Sequence, residues 1–123
     1  MEIIVHITKR ADWDQATRLK SYAPDSLKTD GFIHCSTFEQ TLETANNVFH
    51  GQTDLVVLCI DEEEVTAVIR FESPACPGDA RVASQFPHIY GPLNLDAVFK
   101  VVELPCRTDG SFAMPRELEV CSW

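Results

Sequence analysis

The run Leu55-Val56-Val57-Leu58-Cys59-Ile60 is apolar at every position. Successive side chains of a strand point to opposite faces of its sheet, so a half-exposed strand alternates polar and apolar residues. A run without alternation has to be covered on both faces. The sheet that contains it therefore needs structure on each side, and the rest of the chain must supply it. At 123 residues the chain is read as one domain, 1–123, large enough for one real core but not two.

The flanking sequence supplies candidates for those layers. Residues 2–8 are β-rich and form a first strand, and residues 10–19 place Trp13, Ala16 and Leu19 on one helical face. Residues 21–26 are a loop, and Thr29-Asp30-Gly31 is a turn feeding a strand over 32–35. Ser36-Thr37-Phe38-Glu39 matches a capping box that opens a helix to about His50, with Phe38, Leu42, Ala45 and Phe49 as its apolar stripe. His50, followed by Gly51, suits the negative end of that helix and reads as its cap. Residues 61–64 are a solvated acidic turn or helical start, and residues 65–71 are β-rich again. Residues 73–85, with Pro74, Pro77 and Gly78, read as a long loop of the kind that often carries function. A strand over 97–104 and a hairpin turn at Thr108-Asp109-Gly110 lead to an edge containing Phe112. About six strands and two helices, without strict β-α-β alternation, predict an α+β fold.

Charge and cysteine usage narrow the function. There are 19 acidic residues against 10 basic ones, a net charge of −9, and no basic cluster longer than Lys9-Arg10. Such a surface repels a phosphate backbone, which disfavours a nucleic-acid partner. The start Met1-Glu2-Ile3-Ile4 has no basic n-region, and the longest apolar run is too short to cross a bilayer. A cytoplasmic protein without a membrane partner is expected. Cys35, Cys59, Cys76, Cys106 and Cys121 form an odd set without C-x-x-C spacing, which argues against a zinc ribbon and against a disulfide framework. Cys59 reads as a small core residue.

Three of the four histidines sit in apolar runs close to a hydroxyl: Val5-His6-Ile7-Thr8, Phe32-Ile33-His34-Cys35-Ser36 and Phe86-Pro87-His88-Ile89-Tyr90-Gly91. In an extended strand His6 and Thr8 share a face, and so do His34 and Ser36. A polar pair on a face otherwise built of Ile, Val and Phe is costly to bury without partners. A ligand-facing cleft lined by His6, His34 and at least one of His88 and Tyr90 is the expectation. A lone imidazole in an apolar strand is more often a satisfied structural residue, but three in related contexts each need their own partner.

Common catalytic signatures are absent. There is no P-loop, no G-x-G-x-x-G and no nucleophile elbow. Ser36 is better read as a helix cap than as a nucleophile, and in an ideal strand Cys35 faces away from His34. His6, His34 and His88 are suitable zinc ligands in type, but their separations make a site depend wholly on folding. No stoichiometric metal is expected.

The motifs "HIT" after the first strand, "GFIHCS" before a helix, "DLVVLCID" and "FPHIYGPLNLDAV" together resemble the bacterial family called domain of unknown function 952, over about His6 to Val102. The resemblance implies the fold of the ADP-ribosyltransferase superfamily, two antiparallel sheets with two flanking helices around a nicotinamide-dinucleotide cleft. Within it, His6-Ile7-Thr8 and His34-Cys35-Ser36 are similar to the H-x-T and H-x-S strands of the tRNA 2'-phosphotransferase branch.

That resemblance implies catalytic roles for His6, His34 and His88. It also implies contacts to NAD from His6, Thr8, His34, Ser36 and Tyr90. Toxin-type members stabilise the cationic sugar with a late-strand glutamate, whereas here no Glu follows His88 before Glu103, and Glu72 ends an earlier strand. A small-molecule nucleotide ligand is expected, with ADP-ribosyl or phosphate transfer, or glycohydrolysis, as its chemistry. The alternative is a non-catalytic ligand-binding or interaction module.

Overall fold

A computed structural model of the protein describes residues 2–73 and 85–119. Most of the loop expected over 73–85 lies outside the described residues. The apolar run becomes β4 (Leu55–Asp61), in the interior of a four-stranded antiparallel sheet. On one side β4 pairs with β1 (Ile3–Lys9), from Ile3 opposite Asp61 to Lys9 opposite Leu55. On the other side lies β7 (Val98–Leu104), and the short β3 (Ser36–Thr37) extends the sheet beyond β1. A three-stranded antiparallel sheet holds β6 (Phe86–Tyr90) between β2 (Ile33–His34) and β5 (Val68–Glu72).

Both faces of β4 are covered, as its composition requires. Val56, Leu58 and Ile60 join Ile4, Ile33, Ile89 and Leu93 in a cluster between the two sheets. Leu55, Val57 and Cys59 join Val5, Ile7, Ala45, Val102 and Phe112 in a second cluster on the opposite face. The interior expected as one core is thus divided in two by the sheet. The α+β class and the two antiparallel sheets agree with the sequence reading.

The strand expected over 32–35 is interrupted. β2 belongs to the three-stranded sheet and β3 to the four-stranded one, so the chain changes sheets at buried Cys35. The Cys35 N–H donates to the Pro87 carbonyl at 3.0 Å and fixes the crossing. Ser36 is held in β3 opposite Val5, so the helix frame begins one residue later than expected. Thr37 rather than Ser36 takes the cap, and Gln40 Oε1 accepts its N–H at 2.9 Å. A 3-10 turn over Phe38–Gln40 then leads into the α-helix Thr41–Val48.

The first helix spans Arg10–Leu19, with Ala16 buried and Trp13 packed against the cluster between the sheets. Leu19 does not join them and is 67% exposed. Two steps of three residues leave it about 120° around the helix from Trp13, beyond the buried stripe. Two one-turn helices, Ser26–Thr29 and Arg116–Glu119, were not expected.

His50 lies beyond the Thr41–Val48 helix, whose cap position is taken by Phe49. Its ring packs over Gly110, where an added Cβ would come within 2.7 Å of His50 Cε1. The turn expected at 108–110 is present, with the Gly110 N–H donating to the Arg107 carbonyl. Phe112 is buried but lies in no strand. Its backbone N–H and carbonyl are served by the Asn46 side chain instead, at 2.8 and 3.3 Å. Among the described residues no helix is long and apolar enough to cross a membrane.

Leu58 lies opposite His6 on one side and Val101 on the other, and is fully buried. Leu58→Ala should destabilise the fold by about 2–5 kcal/mol in urea denaturation, through lost transfer energy and the cavity left behind. Phe99→Ala, on the exposed part of β7, should cost far less. Equal losses would contradict the two-sided burial of β4.

Candidate functional site

β3 pairs with β1 only at Ile4 and Val5. From His6 to Lys9, therefore, no described strand covers that edge of β1. A cleft of about 560 Å³ opens there, against the corner where the chain changes sheets. His6, Thr8, His34, Ser36 and His88 all line it. The three histidines expected at one cleft are thus brought together, although the chain's change of sheets breaks the simple alternation between His34 and Ser36. Tyr90 is the exception: it lies outside the lining, half exposed, and its hydroxyl donates to Glu72.

His6 is a buried tie. Its Nδ1 lies 2.6 Å from the His34 carbonyl oxygen and its Nε2 lies 2.7 Å from Tyr22 Oη. A carbonyl only accepts, so Nδ1 carries the proton. Burial pushes the pKa of His6 down to about 4, so near neutrality Nε2 is bare and accepts from the Tyr22 hydroxyl. The Tyr22 proton is then committed, and Thr8, 3.0 Å away, supplies its own hydroxyl proton to Tyr22 Oη. Burial also pushes the Tyr22 pKa up to about 12, so the phenol stays protonated and the relay keeps one direction.

Both nitrogens of His6 are engaged in this relay. A ligand therefore meets His6 as wall rather than as a free hydrogen-bonding group. Thr8 is engaged with Tyr22, and Ser36 Oγ lies 2.9 Å from Thr44 Oγ1. Tyr22 was read only as part of a loop, yet it is 4% exposed and lines the cleft. The signal available was a large aromatic in an otherwise small, polar loop.

His34 and His88 sit directly opposite each other on β2 and β6, with ring centroids 5.7 Å apart, edge to face. Each is held by a carboxylate. His34 Nε2 lies 2.7 Å from Asp30 Oδ2, at the half-exposed mouth. His88 Nδ1 lies 2.8 Å from Glu72 Oε1, and the Phe32 ring stacks on His88 at 4.0 Å. Burial holds the His88 pKa below its ordinary value, against the raising pull of Glu72. Hydrogen bonds from Tyr90 and then His88 keep the Glu72 pKa below the usual range, so Glu72 is a carboxylate and His88 Nδ1 the donor. With Nδ1 donating to Glu72, Nε2 is the lone-pair nitrogen of the His88 ring.

The remaining candidates are constrained by the same geometry. Burial raises the Cys35 pKa strongly, which makes it an inert thiol rather than a nucleophile. Cys59 is fully buried in the core. Zinc would need His6 to give up the relay, and among the described residues no group of three His, Cys, Asp or Glu side chains could hold a metal ion.

Residues 7–101, most of the chain and including His34, Glu72 and His88, match the family model described as a protein of unknown function (DUF952). The chain belongs to the DUF952 family. It is similar to protein CC0527 from Caulobacter crescentus, whose crystal structure is 33% identical in sequence, with a TM-score of 0.80, over 96% of this chain and 99% of that one. A double mutant of CC0527 gives the same values. The solution NMR structure of CC0527 is 34% identical, with a TM-score of 0.72, over 89% of this chain and 90% of that one. No curated protein matches the chain. The cleft described above is thus set in a fold that this DUF952 chain shares with CC0527.

The relay predicts a pH dependence with a defined sign. Unfolded His6 takes a proton as pH falls below its ordinary 6.5, whereas folded His6 resists until about 4. Stability is therefore fully present above pH 6.5 and is lost between 6.5 and 4, by up to about 3 kcal/mol from this residue. The stability gap between wild type and His6→Gln should narrow over that window in denaturant titrations. Parallel curves would show that His6 is not held neutral.

Proposed function

We propose that the cleft binds NAD or another ADP-ribose-containing nucleotide, in a cytoplasmic protein with an ADP-ribosyltransferase-like fold. The observation that carries this reading is the convergence of His6, His34 and His88 on one cleft at the meeting of two antiparallel sheets. The resemblance of the H-I-T and H-C-S segments to the dinucleotide-lining strands of the tRNA 2'-phosphotransferase branch supports it. The cleft's volume is in the range of small-molecule and cofactor sites. Val48, Phe49 and Phe86 offer apolar wall for a planar base.

The charge of the lining favours the nicotinamide end. Among the described residues of the lining, Asp12 and Asp30 are the carboxylates and Lys9 is the ammonium. Carboxylates accept hydrogen bonds from ribose hydroxyls, and a negative balance favours both the cationic nicotinamide ring and an oxocarbenium-like sugar. The same balance disfavours a long phosphate backbone, in keeping with the net charge of −9. One observation favours a binding module without turnover: His6, Thr8 and Ser36 spend their polar atoms inside the protein.

The test is a thermal-shift series with NAD, NADP, ADP-ribose and a 2'-phosphorylated nucleotide. A ligand at one hundred times its dissociation constant should stabilise the protein by about 2.7 kcal/mol. His34→Ala should weaken that ligand by about 1–3 kcal/mol, the worth of a hydrogen bond to a partly buried group. Absence of a shift with all four would remove the nucleotide reading.

A further inference from the structure

Resting on that nucleotide reading, we propose that His88 is the general base that takes the proton of a hydroxyl acceptor, water included, when the nicotinamide–ribose bond is cleaved, and that Glu72 is its positioning residue. The geometry selects His88 among the three histidines. His6 has both ring nitrogens bonded within the protein, and His34 is held by Asp30 at the half-exposed mouth. His88 is 2% exposed, its ring is fixed between the Phe32 stack and the Glu72 hydrogen bond, and it lines the cleft. With Nδ1–H given to Glu72, the lone pair on Nε2 is the one remaining basic site of the ring. Glu72 also accepts from Tyr90, so its own orientation is fixed from two sides.

The step balances with water as acceptor. The bond between ribose C1' and the nicotinamide nitrogen breaks, and its electron pair goes to the ring, which leaves as neutral nicotinamide. The water oxygen bonds to C1'. Its proton passes to His88 Nε2 and on to solvent, giving ADP-ribose, nicotinamide and one released proton. The leaving group needs no acid, so one base suffices. The imidazolium formed on His88 lies against the Glu72 carboxylate, which stabilises it as it forms. Among the described residues, the charged and titratable groups around His88 are Glu72 and Arg70 from β5, Tyr90 from its own strand, and His34 from β2 with Asp30 behind it. Arg70 is directed over the Tyr90 ring, 5.4 Å from its centroid.

The experiment measures NAD binding by thermal shift and nicotinamide release with water as acceptor, in wild type, His88→Ala, His88→Gln and Glu72→Gln. Both His88 variants should bind NAD while kcat falls by about 100-fold or more, and added imidazole should restore part of the loss in His88→Ala. Glu72→Gln should lower kcat at unchanged KM and move the acid limb of the kcat profile to lower pH, because the group that raises the His88 pKa is gone. A folded His88 variant with wild-type kcat overturns the proposal. If both His88 variants unfold, Glu72→Gln decides: a changed profile supports the base, and an unchanged kcat and profile overturn it. Wild type that binds NAD but releases no nicotinamide overturns the base and leaves the binding reading standing. Wild type that binds neither NAD nor ADP-ribose overturns both.

Discussion

The Nδ1–H of His6, on the four-stranded sheet, donates to the carbonyl of His34, on the three-stranded sheet, and so spans the corner where the chain changes sheets. That carbonyl belongs to a two-residue strand, β2, paired with β6 just before the chain changes sheets. The bond is made by a buried neutral imidazole, whose loss would leave a desolvated acceptor beside the cleft. The far nitrogen of the same ring fixes Tyr22, and Tyr22 fixes Thr8. One side chain thus couples the relative placement of the sheets to the shape of the cleft wall. The Cys35 N–H to Pro87 carbonyl bond acts in parallel from the backbone.

What could be read from the sequence follows from how each feature is encoded. β4 was legible because two-sided burial removes alternation, and a six-residue apolar run in a chain of ordinary composition fits almost nowhere but a strand covered on both faces. The Arg10–Leu19 helix was legible from its period, and the convergence of three histidines from their shared apolar context. The break at Cys35 was not legible. Strands of two residues carry no period, and which sheet each joins depends on partners far along the chain: Val5 for Ser36, and His88 for His34. The register of the Ser36–Thr37 strand then shifts the helix cap by one residue. The contact of Glu72 with His88 was hidden in the same way, because a carboxylate ending a strand looks like any solvated surface group until β5 is laid beside β6. Antiparallel pairing of β5 with β6 brings Glu72, from the strand before, against His88.

Burial gives the three histidines different chemistry from one residue type. His6 is fully committed, with both nitrogens bonded inside the protein and a pKa near 4. His34 stands at the mouth, tied to an exposed carboxylate in a setting where water screens the pair. His88 lies between these limits: desolvated enough to stay neutral, yet held by a carboxylate that stabilises a proton once it arrives. A base needs both properties, since a fully desolvated imidazole cannot accept a proton and a solvated one has no fixed direction.

The acidic character of the protein acts on the site in the same sense. The excess negative charge seen across the chain is repeated locally, with Asp12, Asp30 and Glu72 on or behind the cleft wall and Lys9 as the one cation among the described residues of the lining. In the proposed reaction, positive charge on the sugar would be favoured there, and so would an imidazolium at His88. These two demands would conflict in a basic cleft. In the proposed reaction they fall on separate carboxylates: Asp12 and Asp30 line the cleft, while Glu72 is bonded to His88 Nδ1 and accepts from Tyr90. A glutamate behind a histidine then orients the base rather than stabilising the sugar, and the β5–β6 register sets Glu72 beside His88.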